Sequence, residues 1–237
     1  GRLMSVLNVA VEPDRVRIYT DTLAYVGNSP SNLVAGKCSI MPGGFAVVTR
    51  GSTIAGQHID KALSKADCLG EAVYLFDSGQ VSELLETMFS PSWARSQLGD
   101  GFEVSLFGFY EGPVAQRVII YPSLEITSET FGIGLHLSPC DNLLKAAGVT
   151  LPERATDAQM VALALAQQRI AEKHRLPLCV GGLLHRTAFS LYPQSDEVVM
   201  EQEIVAAYPG YLELADEFGC PNEAEYVNWS QARAAAK

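Results

Sequence analysis

The chain has 237 residues, 48% of them hydrophobic, enough to bury the core of one sizeable domain, and no shift in composition divides it. Its 17 basic and 27 acidic residues leave a net charge of −10, spread along the chain. That balance argues against nucleic acid or an anionic membrane surface as partner, because both select for clustered Lys and Arg.

Gly1 to Met4 read as a tag remnant and an initiator, so the single domain is expected to run from Ser5 to 237, with a C-terminal extension after about residue 208. Val6 to Val11 and Val16 to Thr20, joined by Glu12-Pro13-Asp14, predict a β-hairpin, and Ser39 to Met41, Pro42-Gly43-Gly44 and Phe45 to Thr49 predict a second. After Gly51 the period changes: Ile54, Ile59 and Leu63 mark one side of a helix running towards Ala66, and Val81, Leu84, Leu85 and Met88 a helix over 80–89. Strand pattern returns over 102–109 and 117–121 and in a short stretch from Phe131 to Leu137. A long amphipathic helix is expected from Asp157, read as its cap, to about Lys173. Strands to Leu191 and over 197–206 follow, then a short helix over 211–218. No internal repeat is present.

Ser5 follows Met4 and opens a strand. If the residues before it were removed, the new terminus would carry a hydroxyl and an α-amine on one residue, and the amine, with a reference pKa near 8, could act as general base without a catalytic His. The plain alternative is a small residue after Met. The order of elements, strands, two helices, strands, one or two helices, strands, predicts an α+β fold: a four-layer αββα sandwich of two antiparallel sheets between helix layers.

Asp21, Lys37 and Gly51 lie sixteen, thirty-two and forty-six positions after Ser5. In that spacing and strand order the chain resembles the proteasome β-subunit family and the bacterial peptidases related to it, within the N-terminal nucleophile (Ntn) hydrolase superfamily. The resemblance covers 5 to about 191, with only the first fifty residues specific. It implies Ser5 as nucleophile, Lys37 as the cation that activates it, Asp21 as the residue that holds Lys37, and the Gly51 N–H as oxyanion donor. Arg50 and Ser52 would then line the substrate cleft, Arg50 selecting an acidic substrate or plugging the cleft. The implied function is a peptidase or amidohydrolase without cofactor or metal, acting on a peptide or protein, self-associated as a ring or stack, with an ATP-dependent unfoldase as the partner that the family suggests.

Departures from the pattern bear on activity. Gly132-Ile133-Gly134 stands where the family has Gly-Ser-Gly, the loop over 174–182 carries no carboxylate, and the nucleophile is Ser rather than the more usual Thr. A proteasome-fold protein that has lost hydrolysis and serves as a structural or assembly subunit is therefore the rival expectation.

Other constellations are weaker. His58, His136, His174 and His185 lack metal-ligand spacing, and no metal is expected. Gly43-Gly44 and Gly181-Gly182 are not followed by the Gly-Lys-Ser/Thr of a phosphate loop. Five cysteines, Cys38, Cys68, Cys140, Cys179 and Cys220, are odd in number and without a CxxC pair. They argue against a disulfide framework and for a reducing, cytoplasmic setting, as do the lack of a signal-peptide pattern and of an apolar run near the roughly 18 residues of a membrane span. Cys38 reads as a small core residue more readily than as an activated thiolate, and Trp93 and Trp229 as packing or interface anchors.

Overall fold

The computed structural model describes residues 5–26, 29–139, 141–150, 154–176, 180–192, 194, 197–222, 224, 228 and 231. Gly1 to Met4, Cys140, Cys179 and Trp229 lie outside the described residues. In chain order the elements begin with β1 (Leu7–Glu12), β2 (Arg15–Asp21), β3 (Leu23–Val26), β4 (Ser29–Leu33), β5 (Cys38–Met41) and β6 (Phe45–Arg50). Then come α1 (Thr53–Leu63), α2 (Leu69–Asp77), α3 (Gln80–Phe89), α4 (Ser92–Arg95), β7 (Phe102–Phe109), β8 (Pro113–Ile120), β9 (Ile126–Thr130) and β10 (Gly134–Ser138). The chain continues through α5 (Asp141–Ala146), α6 (Asp157–Lys173), β11 (Leu183–Tyr192), β12 (Glu197–Ala207) and α7 (Tyr211–Phe218).

The strands form three sheets, ordered β10-β1-β2-β11-β12, β3-β4 and β5-β6-β7-β8-β9. This corrects the expected sandwich of two sheets between helix layers: the architecture is mainly β, with sheets of five, two and five strands and seven helices among the described residues. The residues between Asp21 and Lys37, too polar around Ser29 to Asn32 to read as strand, make a hairpin because Leu23 and Leu33 at its base bury together with Tyr211 and Ala215 of α7.

The two larger sheets bring their aliphatic alternation together. Leu7, Val9, Val11, Val16, Ile18 and Phe189 of the first sheet share a core with Ala46, Val48, Phe107 and Ala115 of the other. The opposite face of β6–β8, through Val47, Val104, Leu106 and Val118, packs on α1–α3 through Ile59, Leu63, Ala72, Phe76 and Leu85. Val6, Ala10, Tyr19 and Leu184 pack on Met160, Leu163 and Ala164 of α6.

Helix ends differ from expectation where side chains compete for the cap. Thr156, not Asp157, caps α6 in a reciprocal capping box with Gln159. Asp157 is thereby free to accept from Arg17 (2.7 Å) and Tyr19 (2.6 Å), and it pairs with Arg186. Ile54, expected on the buried side of α1, is 62% exposed. The inward positions are Ala55, Gly56, Ile59 and Leu63. No helix among the described residues is long and apolar enough to cross a membrane.

Candidate active site around Ser5

The β1–β2 register pairs Leu7 with Thr20 and so carries the residues before β1 to the end of β2. Asp21 lies there, fully buried, and its Oδ1 accepts from Val6 N at 2.9 Å. Lys37, just ahead of β5, reaches the same point: its Nζ lies 2.9 Å from Ser5 Oγ, 2.9 Å from Asp21 Oδ1 and 2.7 Å from the Leu23 carbonyl. Three residues distant in sequence therefore meet at one ammonium, which bonds both Ser5 Oγ and Asp21 Oδ1, and Ser5 itself is 5% exposed.

Burial pushes the Asp21 carboxyl above its ordinary range, while the Lys37 ammonium and the N–H groups of Val6 and Gly181 pull it back. A buried carboxylate is tolerated because it is paired and hydrogen-bonded. Lys37, anchored by Asp21, directs its charge at Ser5 Oγ, where an alkoxide would develop. Tyr208 is buried and feels the charge of Asp21. Burial and the charge of Asp21 push its phenol well above the ordinary value, so it remains a neutral hydroxyl.

Gly51 follows β6 with φ +116°, and a Cβ there would lie 2.8 Å from the Gly101 carbonyl. Only glycine fits this turn without strain. Ser52 caps α1, its side chain accepting from Ala55 N at 3.4 Å.

Arg50, expected beside a cleft, is turned inward and 3% exposed. Its Nη1 donates to the Ser5 carbonyl (3.1 Å) and to Ser138 Oγ (2.8 Å), and its Nη2 pairs with Glu103, its direct cross-strand partner on β7. A guanidinium at the end of an apolar strand can bury only because that carboxylate lies opposite.

Ile133 is 62% exposed and contributes no polar atom. Near Asp21 the described part of the loop over 174–182 offers a backbone N–H, with Gly181 N 3.5 Å from Asp21 Oδ2, and at the start of β11 Leu183 N donates to Thr22 Oγ1 at 2.8 Å. Glu103, Ser138, Gly181 and Tyr208 were not legible as site residues. The double glycine was the one available signal, since at Gly182 (φ +78°) a Cβ would lie 2.3 Å from Thr22 Oγ1.

Beside Ser138 a cavity of about 200 Å³ opens between β1, β10 and the edge of the other large sheet, lined by Leu7, Val9, Arg117, Phe131 and His136. Burial pushes the Cys38 thiol up to about 12, so it is not a thiolate at neutral pH. Among the described residues no group of three or more His, Cys, Asp or Glu could hold a metal ion.

No protein-family model matches the sequence, and no curated protein does. Solved structures similar in fold are Anbu from Hyphomicrobium sp. strain MC1 (TM-score 0.52, 14% identity) and its Gly-1 mutant (TM-score 0.54, 14% identity), each match covering 98% of this chain and 96% of that one. Anbu from Yersinia bercovieri, an ancestral β-subunit, has a TM-score of 0.55 and 16% identity over 96% of this chain and 97% of that one. These findings correct the assignment to the proteasome β-subunit family that the spacing suggested: the likeness is to Anbu, and at 14–16% identity it is one of fold alone. What the chain has is a proteasome-related fold.

Proposed function

We propose that the protein is an N-terminal nucleophile hydrolase that cleaves a peptide or amide bond through Ser5 once Ser5 is the first residue. The observation that carries the reading is the single ammonium of Lys37 bonded to both Ser5 Oγ and Asp21. In the mechanism, Oγ attacks the substrate carbonyl and its proton passes to the Ser5 α-amine. The tetrahedral oxyanion accepts from Gly51 N–H, and collapse breaks the C–N bond as the amine returns the proton to the leaving nitrogen. Water then cleaves the ester by the same proton relay, releasing the acid and restoring Ser5.

Ser52 is committed to its cap and Arg50 to the interior, so a cleft beside Gly51 would recognise substrate chiefly by backbone. Self-association belongs to this reading, supported by the exposure of Ile54 on α1, Tyr74 on α2 and Trp93 on α4. A cytoplasmic setting is supported by free Cys38, Cys68 and Cys220.

The rival reading, a structural subunit without hydrolysis, is favoured by one observation: Ile133 offers no hydroxyl to the site and points to solvent. Intact mass after exposure to a β-lactone, on chain released to begin at Ser5, separates the two. One adduct that vanishes in Ser5→Ala is expected for the hydrolase. A free Ser5 that never labels overturns that reading and leaves the structural one.

A further inference from the structure

We infer that Arg50 is a positioning residue that holds Ser5 by its carbonyl and sets it in register with Gly51. The inference rests on Ser5 being the nucleophile. Arg50 could satisfy its charge with Glu103 alone, whose carboxylate lies opposite it, is 0% exposed and also accepts from Ser105 Oγ at 2.7 Å. Its other arm instead reaches out of the β5–β9 sheet to the Ser5 carbonyl at 3.1 Å and to Ser138 Oγ, at the end of β10, at 2.8 Å.

Residue 5 is therefore gripped on two sides, by Lys37 at the hydroxyl and by Arg50 at the carbonyl. The two grips come from different places: Ser5 leads into β1 of one large sheet, and Arg50 ends β6 of the other. Because Gly51 is the next residue after Arg50, the clamp fixes the separation of nucleophile and oxyanion donor across the gap between sheets. Misplacement of about 1 Å at such a pair can cost up to roughly 100-fold in rate.

The clamp also acts on charge. A guanidinium on the Ser5 carbonyl adds positive potential at the adjoining α-amine and favours its unprotonated form, the form required of a base. The charged and titratable groups around it are Asp21 at the end of β2, Lys37 ahead of β5, and Glu103 of β7. Further groups on the packed elements are Arg117 of β8, 3.9 Å from Glu103, His136 of β10, which lines one cavity with Ser138, His185 of β11 beside Gly36, and Tyr208, which feels the charge of Asp21.

The test measures the rate of Ser5 acylation by a β-lactone across pH 5 to 9, with the melting temperature of each protein, for chain beginning at Ser5 and its variants Arg50→Lys and Arg50→Met/Glu103→Gln. The double variant removes both buried charges together and so avoids an unpaired carboxylate. It is expected to label roughly 10- to 100-fold more slowly, with the acid limb of its profile moved to higher pH. Arg50→Lys, which keeps the charge but lacks the fork, is expected to label at an intermediate rate with its acid limb near that of the unaltered chain. A double variant that labels at the unaltered rate and pH midpoint overturns the inference. Should the double variant not fold, Arg50→Lys decides alone, and an unchanged rate overturns it. If the unaltered chain never labels at Ser5, the nucleophile reading falls and the positioning role with it, a result distinct from either variant outcome.

Discussion

Asn8 and Gln167 exchange two side-chain hydrogen bonds, 2.7 Å from Asn8 Nδ2 to Gln167 Oε1 and 3.0 Å from Gln167 Nε2 to Asn8 Oδ1, with both residues fully buried. Gln167 Nε2 also donates to the Pro139 carbonyl at 2.6 Å, and Ser138 N to Asn8 Oδ1 at 3.3 Å. The amide pair thus ties α6 to β1 and to the end of β10, the strand end that presents Ser138 to Arg50.

Removing one member of that pair strands the other. Asn8→Ala or Gln167→Ala is expected to cost about 1–3 kcal/mol of stability in urea denaturation, the range for a buried polar group left without its partner. The double variant should cost clearly less than the sum, because the second truncation removes the group that the first left unsatisfied.

Lys37→Met is expected to lower Ser5 acylation at least 100-fold, since the charge at Oγ is lost. It also leaves Asp21 buried and unpaired, at a cost of about 3–5 kcal/mol, which urea denaturation reads. Adding Asp21→Asn should recover much of the stability and none of the acylation, so the two measurements separate Lys37's electrostatic role from its structural one.

Gly51→Ala should destabilise more than Gly44→Ala, although both residues have positive φ. At Gly44 a Cβ meets nothing within 4 Å, whereas at Gly51 it meets the Gly101 carbonyl at 2.8 Å. A strained backbone of this kind costs about 1–3 kcal/mol before any clash is counted. Paired thermal melts would show the difference.

His185 is 7% exposed, its Nε2 has no hydrogen-bond partner, and burial pushes its pKa below the ordinary value. The unfolded chain therefore binds a proton more readily than the folded one, so stability contributed by the neutral ring is present above pH 6.5 and declines as pH falls below it. Between pH 7.5 and 5.5 the unaltered protein should lose more stability than His185→Asn. Urea midpoints at the two pH values test this, and equal losses would remove His185 as the cause.

Much of the frame was legible because it rests on local signals. The apolar spacing over 80–89 matches α3, the short helix expected over 211–218 matches α7, and α6 is displaced from expectation only in its cap. Hairpins with Pro or Gly turns, β1–β2 and β5–β6, were equally readable. Missed elements are those whose apolar positions make sense only against a partner. In α2, Leu69, Ala72 and Phe76 bury among residues of α1, α3 and β7. In β9, Ile126 alone is even half-buried, and the strand exists through its ladder to β8.

At the site, the sequence by itself determined the chemistry available: a serine, an aspartate, a lysine and a glycine at fixed separations, and the absence of hydroxyl and carboxylate at 133 and 174–182. Convergence was decided by tertiary structure. The β1–β2 register delivers Ser5 to Asp21, and the turn before β5 swings Lys37 onto both. Only the fold could turn Arg50 inward, because a buried guanidinium is stable only with a carboxylate held against it, and Glu103 lies 53 residues further along the chain. Local sequence fixes conformations whose energies are local, whereas the placement of a buried charge depends on the partner that long-range pairing brings to it.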